Sequence, residues 1–560
     1  MTVRDSDLAQ ADGLPGSAPQ WWREAVVYQM YPRSFADGNG DGIGDLIGAR
    51  EHLDHLSELG VDAVWLNPWY KSPMADAGYD VADYREIDPG YGDLETAERF
   101  IADAHARDIR IIADIVPNHV SSEHVWFQAA LRDEPGYRDR FIFRQGRGAD
   151  GSQPPNNWES NFGGPAWTRL DDGLWYLHLF APEQPDLNWR NPAVRAEFES
   201  VLRFWFERGI DGFRIDVAHG LVKHPDLPDS APRSAGAQHV SAHPAYDQDE
   251  LHEIYRSWRT IADSYDPPRI FVAEAWVPSN ERLARYLRPD ELHTAFQFDF
   301  LRAPWRAEVI REVIDDAITQ VKGVSAPPTW VLANHDVARI ATRYARSQPN
   351  HLVEPDWERA RWSKETPDLE LGRRRARAAA LLQLALPGTA YVYQGDELGL
   401  DEYEDLPNEA RQDPMYPMFG FTDPGRDGCR APIPWAGDVA PYGFSAASAE
   451  QTWLPQPDGW ANFTVEHEDA DPDSILNLYR KALRTRRELF LGAPDLEWIA
   501  GTDDGVLAFR RGDAECWVNT GGPTVDLPAQ AEIIVSSDPH AQNGTLPADT
   551  AVWLTRGAVS

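Results

Sequence analysis

The feature that most constrains this chain is the alternation of short apolar or aromatic runs with longer stretches of helical periodicity, which starts near Trp21. Such alternation is typical of strand–helix units around a parallel sheet. Eight runs fit strands, at residues 26–31, 63–66, 109–115, 212–215, 270–274, 295–298, 330–332 and 390–393. Stretches such as 46–59, 93–107, 192–208 and 373–386 have the spacing of amphipathic helices. The pattern predicts an α/β protein with a closed (β/α)8 TIM barrel.

Two regions depart from this pattern and predict further domains. Residues 119–188, after the third strand, are rich in Asn, Gly, Pro, Trp and Phe and are too long for a simple barrel loop, so we expect an inserted domain B. Beyond residue 487, short strands are separated by turn residues without helices, which predicts a C-terminal antiparallel β-sandwich. The expected division is a flexible lead-in at 1–20, the barrel at 21–118 and 189–486, domain B at 119–188 and the sandwich at 487–560.

The charge and cysteine content argue against several classes of protein. Ninety acidic against 53 basic residues give a net charge of −37, which repels nucleic acid and disfavours anionic membrane surfaces. Cys429 and Cys516 lie far apart and lack metal-ligand spacing, so neither a zinc site nor a disulfide framework is expected. No run has the roughly 18 apolar residues of a membrane span, and 1–20 lacks the apolar core of a signal peptide. We expect a cytoplasmic protein, either a monomer or a small homo-oligomer.

Functional side chains of a TIM barrel lie at the carboxyl ends of its strands. Asp216 ends the fourth predicted strand, Glu274 ends the fifth, and Arg214 lies two residues before Asp216 on the same strand face. Because neighbouring strands lie about 4.8 Å apart, these carboxylates can stand at the roughly 5–5.5 Å that retaining glycoside hydrolysis requires. Arg214 would keep Asp216 ionised as a nucleophile, while apolar neighbours of Glu274 would favour its protonated form. The alternative is a structural Arg–Asp pair with an unrelated Glu.

Four short segments carry these residues: Asp-Ile-Val-Pro-Asn-His at 114–119, Gly-Phe-Arg-Ile-Asp at 212–216, Val-Ala-Glu at 272–274 and Asn-His-Asp at 334–336. They resemble the four short regions of glycoside hydrolase family 13, the α-amylase family. Residues 184–189 resemble a fifth region of its α-glucosidase and oligo-1,6-glucosidase branch. The resemblance implies that Asp216 is the nucleophile, Glu274 the acid/base, and Asp336 a third carboxylate that stabilises the transition state. His119 and His335 would hydrogen-bond the same glucose.

The resemblance also implies how the sugar pocket is closed. Tyr79 would lie against the sugar ring, although ordinary core packing is an alternative. Asp80 and Arg339 are expected to form the pair that walls off the non-reducing end. Phe162 and Trp276 are candidates for the pocket rim and the aglycone side, and each could instead simply pack. A pocket closed at one end implies exo-action, in which glucose is removed from the end of a short α-glucoside.

Residues 37–45, Asp-Gly-Asn-Gly-Asp-Gly-Ile-Gly-Asp, place Asp or Asn at two-residue spacing with Gly at the bends. Hard cations prefer such carboxylate and amide oxygens. The loop is not an EF-hand, because its twelfth position is Gly48 rather than Glu. Similar loops in the family hold calcium, so the resemblance implies a structural Ca²⁺, with a metal-free turn or Mg²⁺ as alternatives. The expected ligands are Asp37, Asn39, Asp41, the Ile43 carbonyl and Asp45.

Three functions follow from these observations. The first is a retaining exo-α-glucosidase acting on small α-glucosides, with maltose-type α-1,4 linkages favoured and isomaltose-type α-1,6 linkages next. Val217, after the nucleophile, accompanies α-1,6 specificity in part of the family, but the continuation Val-Ala-His-Gly at 217–220 differs from that of the oligo-1,6-glucosidases. The second function is glucosyl transfer or sucrose isomerisation. The third, a non-catalytic sugar-binding protein, is disfavoured because all three carboxylates are present. No organic cofactor is expected.

Overall fold

The computed structural model describes residues 20–231, 243–349, 352, 365–448, 451–493, 495–541 and 544–556, so the predicted lead-in lies almost wholly outside the described residues. A sheet of eight parallel strands forms the centre of the molecule, and each strand lies where the sequence predicts one. In chain order the barrel strands are Val26–Met30, Ala63–Leu66, Arg110–Ile115, Gly212–Ile215, Ile270–Ala273, Thr294–Ala295, Thr329–Val331 and Thr389–Tyr393. The predicted (β/α)8 fold is confirmed.

The sheet curls until its two edge strands, the sixth and the seventh, meet. Phe296 forms a parallel bridge with Thr329, and the Gln297 N–H donates to the Thr329 carbonyl at 2.9 Å. The strand predicted at 295–298 ends earlier than expected, because Phe298–Arg302 is a helix. A short apolar run fits a buried helical turn as well as a strand, so its periodicity could not separate the two.

Helices surround the barrel and pack their apolar faces against it. Several begin with a side-chain cap, as where Asn191 accepts a hydrogen bond from the Ala193 N–H at the start of Pro192–Phe206. That helix buries Phe198, Leu202 and Trp205, which lie on one face at three- and four-residue spacing. The principal helices are Leu46–Glu51, Leu53–Leu59, Leu94–His105, Pro192–Phe206, Leu251–Asp263, Asn280–Tyr286, Ala307–Lys322, Leu369–Ala385 and Ile475–Leu489.

The segment after the third strand carries its own small sheet and core. Helix Val125–Leu131 is followed by the antiparallel strands Phe143–Gln145, Trp167–Arg169 and Leu174–Leu177, with the last strand in the middle. Its core includes Trp158, Trp167 and Leu177. A bridge between His119 and Asp186 joins the beginning and the end of the segment, so the inserted sheet stands beside the carboxyl ends of the barrel strands.

The C-terminal region forms two antiparallel sheets. A five-stranded sheet contains, in spatial order, Glu497–Trp498, Val506–Arg511, Ala514–Asn519, Thr550–Arg556 and Ala531–Ser536, and Val525–Asp526 pairs with Thr545–Leu546 in the second sheet. The Trp553 indole is buried and donates to the Leu381 carbonyl of a barrel helix at 3.1 Å, which fastens the region to the barrel. Within the described residues, no helix combines the length and apolar character that crossing a bilayer requires.

Candidate active site

The fourth and fifth barrel strands bring two carboxylates together. These strands are neighbours, and their register places Ile215 opposite Ala273. The next residue on each strand is a carboxylate, Asp216 or Glu274. The Asp216 N–H donates to Ile115 at 2.9 Å and the Glu274 N–H donates to Ile215 at 3.0 Å. Sheet hydrogen bonds therefore hold both backbones up to the carboxylates themselves.

The side chain of Arg214 joins the two carboxylates. Its guanidinium is buried, with 2% of the side chain exposed. Nη1 donates to Oδ1 of Asp216 at 2.6 Å, and Nη2 donates to Oε2 of Glu274 at 2.6 Å. Nη1 also contacts Asp114 at 3.0 Å. We expected Arg214 to serve Asp216 alone, whereas one planar guanidinium restrains both groups.

Opposing effects set the charge of this cluster. Burial raises the pKa of Asp216, and the adjacent Arg214 guanidinium opposes that rise. Burial likewise raises the pKa of Asp114 to about 7, again against the effect of Arg214. Arg214 therefore favours the ionised forms of Asp216 and Asp114, whereas their burial favours the protonated forms.

Glu274 has polar contacts in place of the apolar surroundings that we expected. Oε2 accepts hydrogen bonds from Arg214 and from the backbone N–H of Val217 at 3.1 Å, while Oε1 accepts from the Trp276 indole at 3.2 Å. Val217 reaches Glu274 with a φ of +45°. A β-branched residue rarely adopts this left-handed conformation, so the unusual backbone turn directly after Asp216 aims an N–H at Glu274.

The third predicted carboxylate, Asp336, lies between two arginines. Its Oδ1 accepts from Arg426 at 3.1 Å and from Arg430 at 2.9 Å, and Oδ2 lies 3.4 Å from Nε2 of His335. Burial acts to raise the pKa of Asp336, but the guanidinium groups of Arg426 and Arg430 outweigh it and hold the pKa well below its usual range. Asp336 is therefore a permanent negative charge in the site.

Tyr79 and His335 form a stacked pair. Their rings are nearly parallel, with centroids 5.3 Å apart, and the Tyr79 hydroxyl lies 2.7 Å from Nε2 of His335. The Gln29 side-chain amide donates to Nδ1 of His335 at 2.8 Å, which leaves Nε2 as the protonated nitrogen of a neutral ring. Burial lowers the pKa of His335 well below its usual value, which agrees with that neutral form.

His119 is also buried and neutral. Its ring nitrogens lie within 3.0 Å of the side-chain amides of Asn118 and Gln184, and Nε2 lies 3.2 Å from the Tyr79 carbonyl. Burial lowers the pKa of His119 to about 4. A neutral imidazole offers one donor and one acceptor, which suits hydrogen bonds with sugar hydroxyls.

These groups meet at a cavity of about 140 Å³. It is smaller than the roughly 300–1,000 Å³ of a pocket for a drug-sized ligand, which suits one small ring rather than a long chain. Among the predicted residues, Arg214 does not line the cavity itself, but it contacts Asp216 and Glu274, which do. Those that line the cavity are Tyr79, His119, Phe162, Asp216, Glu274, Trp276, His335 and Asp336.

Asp80 and Arg339 do not form the predicted end wall, and that prediction is corrected. Both side chains are fully buried outside the cavity lining. Asp80 accepts from the Ser72 hydroxyl and from the N–H groups of Ala75 and Asp76, which closes its own loop. The Arg339 guanidinium donates to two backbone carbonyls at 2.9 Å. Both residues therefore hold loops together.

Asp76 and Arg426 form an ion pair that does line the cavity. Nη2 of Arg426 donates to Oδ1 of Asp76 at 2.8 Å, and Nη1 of the same group reaches Asp336. Asp413 fixes the guanidinium through Nε at 2.7 Å, and the Phe162 ring lies 5.1 Å from its centre. Sequence reasoning missed both members of the pair. Asp76 lies in the same loop as Tyr79, whereas no local pattern distinguishes Arg426.

The predicted calcium loop closes on itself through side-chain-to-backbone hydrogen bonds. Oδ1 of Asp41 accepts from the Ile43 N–H at 2.9 Å, and Asp45 caps helix Leu46–Glu51 through the Gly48 N–H at 2.7 Å. Asp37 likewise accepts from the Gly40 N–H at 2.7 Å. The oxygen donors suit a hard cation, but the described part of the chain contains no group of three or more His, Cys, Asp or Glu arranged to hold a metal. Calcium here stays a prediction.

Comparison with known sequences identifies relatives over most of the chain. A family model described as the catalytic domain of alpha amylase matches residues 29–491. Trehalose-6-phosphate hydrolase of Escherichia coli (strain K12) is 36% identical over 84% of this chain and 84% of its own length. Oligo-1,6-glucosidase of Parageobacillus thermoglucosidasius is 34% identical over 88% of each chain. A probable alpha-glucosidase of Rhizobium meliloti (strain 1021) is 36% identical over 88% of this chain and 87% of its own length.

The fold also matches solved structures. The alpha-glucosyl transfer enzyme XgtA superimposes with a TM-score of 0.83 at 32% sequence identity, over 96% of this chain and 99% of that chain. The match therefore extends through the barrel, the inserted segment and the C-terminal sheets.

Proposed function

Because the chain belongs to the α-amylase family, glycoside hydrolase family 13, we propose that this glycoside hydrolase is a retaining, exo-acting α-glucosidase. It releases glucose from the non-reducing end of short α-glucosides, with maltose-type α-1,4 linkages favoured. The observation that carries this proposal is the Asp216–Arg214–Glu274 arrangement beside a small cavity that Asp76 and Arg426 close. The similarity to an oligo-1,6-glucosidase and to a probable alpha-glucosidase supports it.

The first chemical step forms a covalent intermediate. A carboxylate oxygen of Asp216 attacks the anomeric carbon of the terminal glucose, and the bond from that carbon to the glycosidic oxygen breaks. Glu274 gives its proton to the departing oxygen, so the leaving sugar departs as a neutral alcohol. The hydrogen bonds that Val217 and Trp276 donate to Glu274 orient its carboxyl group for this transfer.

The second step returns the enzyme to its starting state. Glu274, now a carboxylate, takes a proton from a water molecule, whose oxygen attacks the anomeric carbon and displaces Asp216. Each step inverts the configuration of the anomeric carbon, so the released glucose retains the α configuration. One guanidinium contacts both carboxylates, which supports the short separation that retention requires.

The rest of the cavity acts on the glucose and on its transition state. Positive charge develops on the sugar ring as the glycosidic bond breaks, and the ionised Asp336 stabilises it electrostatically. In this proposal the neutral rings of His119 and His335, which line the cavity, exchange hydrogen bonds with sugar hydroxyls. The Asp76–Arg426 pair limits how far a chain can extend past this glucose, which accounts for exo-action.

Glucosyl transfer is the second candidate function, because the similar structure XgtA is an alpha-glucosyl transfer enzyme. The covalent intermediate is the same in both cases, and only the acceptor differs. Sugar products longer than the substrate, formed at high substrate concentration, would favour transfer, whereas glucose as the sole new product would favour hydrolysis. An α-1,6-glucosidase or a sucrose-isomerising enzyme would share this intermediate as well.

Initial rates on maltose, isomaltose, sucrose, trehalose and trehalose 6-phosphate test the substrate ranking. We expect the highest kcat/KM on maltose, followed by isomaltose. Proton NMR during the first minutes should show α-glucose before mutarotation, since retention preserves the anomer. Release of β-glucose first would refute the retaining mechanism. Cleavage of trehalose 6-phosphate alone would keep the chemistry but overturn the proposed substrate.

The remaining expectations about the protein's surroundings are proposals too. We propose a structural calcium at residues 37–45, a cytoplasmic location and a monomeric or small homo-oligomeric state. The spacing of the oxygen donors supports the first, and the two isolated cysteines agree with a reducing compartment. Metal analysis of purified protein, cell fractionation and light scattering test them in turn.

A further inference from the structure

The first barrel strand carries a buried glutamine near its carboxyl end that the glucosyl chemistry does not use. Gln29 is 1% exposed and does not line the cavity. Its side-chain amide donates to Oδ1 of Asn67 at 3.0 Å and to Nδ1 of His335 at 2.8 Å. An amide NH2 group has two hydrogens, so these two contacts use both of them. Gln29 therefore connects the ends of the first and second strands to His335, which follows the seventh strand and lines the cavity.

The groups around the Tyr79 hydroxyl fix the direction of these hydrogen bonds. Arg214 donates to both oxygens of Asp114, at 3.0 and 3.1 Å, which favours an ionised carboxylate that can only accept. Tyr79 therefore donates its one hydroxyl hydrogen to Asp114 at 3.1 Å. The Tyr79 oxygen is left to accept from Nδ2 of Asn67 and from Nε2 of His335, each at 2.7 Å. Oδ1 of Asn67 and Nδ1 of His335 must then both be acceptors.

The charged groups around His335 act on its protonation in opposite directions. Burial lowers the pKa of His335 well below its usual value, and the guanidinium groups of Arg430, Arg214 and Arg426 act in the same direction. Asp336, whose Oδ2 lies 3.4 Å from Nε2, favours the imidazolium. Because Nε2 already carries a proton, an imidazolium would need its second proton on Nδ1. That nitrogen instead accepts a hydrogen bond from the glutamine amide.

We propose that Gln29 is a positioning residue whose amide keeps Nδ1 of His335 unprotonated, so that the ring stays neutral and presents its Nε2–H to Asp336. The inference rests on the proposed α-glucosidase function and deepens it. An imidazolium at His335 would offset the negative charge of Asp336, which in that function stabilises positive charge in the transition state. Gln29 thus supports the reaction from outside the cavity and acts through His335 without touching the sugar.

Gln29→Glu tests the proposal, because it keeps the shape of the side chain but replaces the donating NH2 group with an acceptor. We expect Nδ1 of His335 to gain a proton. Nitrogen-15 NMR of protein labelled in its histidine rings, at neutral pH, should show one protonated ring nitrogen of His335 in the wild type and two in Gln29→Glu. The spectrum of His335→Asn identifies the signals. We expect kcat/KM on maltose to fall about 10- to 100-fold, as is typical when a partner that orients a functional histidine is changed.

Gln383→Glu is the matched control. Gln383 is also a buried glutamine outside the cavity lining, and its amide donates to the Trp330 carbonyl at 3.0 Å and to the Tyr391 carbonyl at 2.8 Å. The control variant likewise places a carboxyl group where a buried amide donates twice, so it should lower the free energy of unfolding. It should leave the His335 signals and kcat/KM unchanged.

A neutral His335 in folded Gln29→Glu would overturn the proposal, and so would undiminished kcat/KM in that variant or an equal fall in Gln383→Glu. If Gln29→Glu does not fold, the wild-type spectrum still decides, because a proton on Nδ1 of His335 in the wild type would refute the assignment. A wild-type enzyme that cleaves no α-glucoside would refute the proposed function instead, and the NMR comparison would still test the effect of Gln29 on His335.

Discussion

Nη2 of Arg214 donates to Oε2 of Glu274 at 2.6 Å, so the arginine two residues before the proposed nucleophile, Asp216, also holds the proposed acid/base. The same guanidinium contacts Asp216 and Asp114, which makes it the common partner of three buried carboxylates. A buried cation with three acidic partners is costly to replace, because removing it leaves uncompensated negative charges. The geometry of the reacting pair thus depends on one side chain.

Arg214→Lys is expected to keep the positive charge but lose the geometry. A lysine ammonium is a point charge and cannot bridge two carboxylates as a planar guanidinium does. We expect kcat/KM on maltose to fall about 10²- to 10³-fold, which is typical of misplaced catalytic groups. Arg99→Lys, on an exposed helix face, is the matched control and should leave kcat/KM unchanged. Activity within threefold of wild type in Arg214→Lys would show that bridging is unimportant.

Asp216→Asn is expected to abolish hydrolysis while the fold persists. Loss of a nucleophile typically costs at least about 10⁴-fold in kcat. Burial raises the pKa of Asp216, so its ionised form opposes folding at neutral pH, and the neutral amide should leave Tm unchanged or raise it slightly. Activity assays measure the loss of hydrolysis, and thermal unfolding monitored by circular dichroism measures Tm. Substantial turnover in pure, folded variant would exclude Asp216 as the nucleophile.

Asp76→Asn and Asp80→Asn test whether Asp76 or Asp80 contributes to the end wall of the sugar pocket. Asp76 binds Arg426 at the cavity, so its neutral variant should lower kcat/KM on maltose about 10- to 100-fold. Asp80 accepts three hydrogen bonds within its loop, so its variant should chiefly lower the free energy of unfolding, by about 1–3 kcal/mol. Kinetics and urea unfolding of both variants decide the matter. If Asp80→Asn lowered kcat/KM and Asp76→Asn lowered only the free energy of unfolding, Asp80 would be the residue that serves the active site.

The contribution of buried His119 and His219 to stability should fall as the pH is lowered from about 6.5 to 4. The pKa values of buried His119 and His219 are lowered to about 4, so in this window the unfolded chain binds protons that the folded chain does not. This contribution therefore rises with pH, by up to about 3 kcal/mol for each histidine, and buried Asp114, whose pKa is raised to about 7, contributes with the opposite sign. Urea titrations at three pH values measure the slope. His219→Gln should reduce it, whereas His540→Gln, at an exposed position, should not.

Calcium should raise the melting temperature if residues 37–45 bind it. Calcium at about 100 times its Kd would add about 2.7 kcal/mol to the free energy of unfolding. Differential scanning calorimetry in CaCl₂ and in EGTA measures the shift, and Asp41→Asn should reduce it. Asp171→Asn, in an exposed turn of the inserted segment, is the control and should leave the shift unchanged. Identical melting temperatures in both buffers would favour the metal-free turn.

Much of the fold could be predicted because its signals are local. Strand positions follow from short apolar runs, and a carboxylate one residue past a strand end is visible in the sequence, as for Asp216 and Glu274. The prediction was less accurate at the sixth strand, where Phe298 starts a helix. Apolar runs of this length fit either element when both are buried, so only the neighbouring strands could decide between them.

The sequence by itself determined the barrel, the order of its strands and the identity of the three carboxylates, since strand periodicity and short motifs need no knowledge of distant residues. Only the tertiary structure decided which groups those carboxylates meet. Asp76 binds Arg426, which lies 350 residues away, and Asp80, four residues from Asp76, is occupied by its own loop. The partner of a buried charge depends on how separate loops pack above the barrel. The spacing of residues within one loop does not predict that packing.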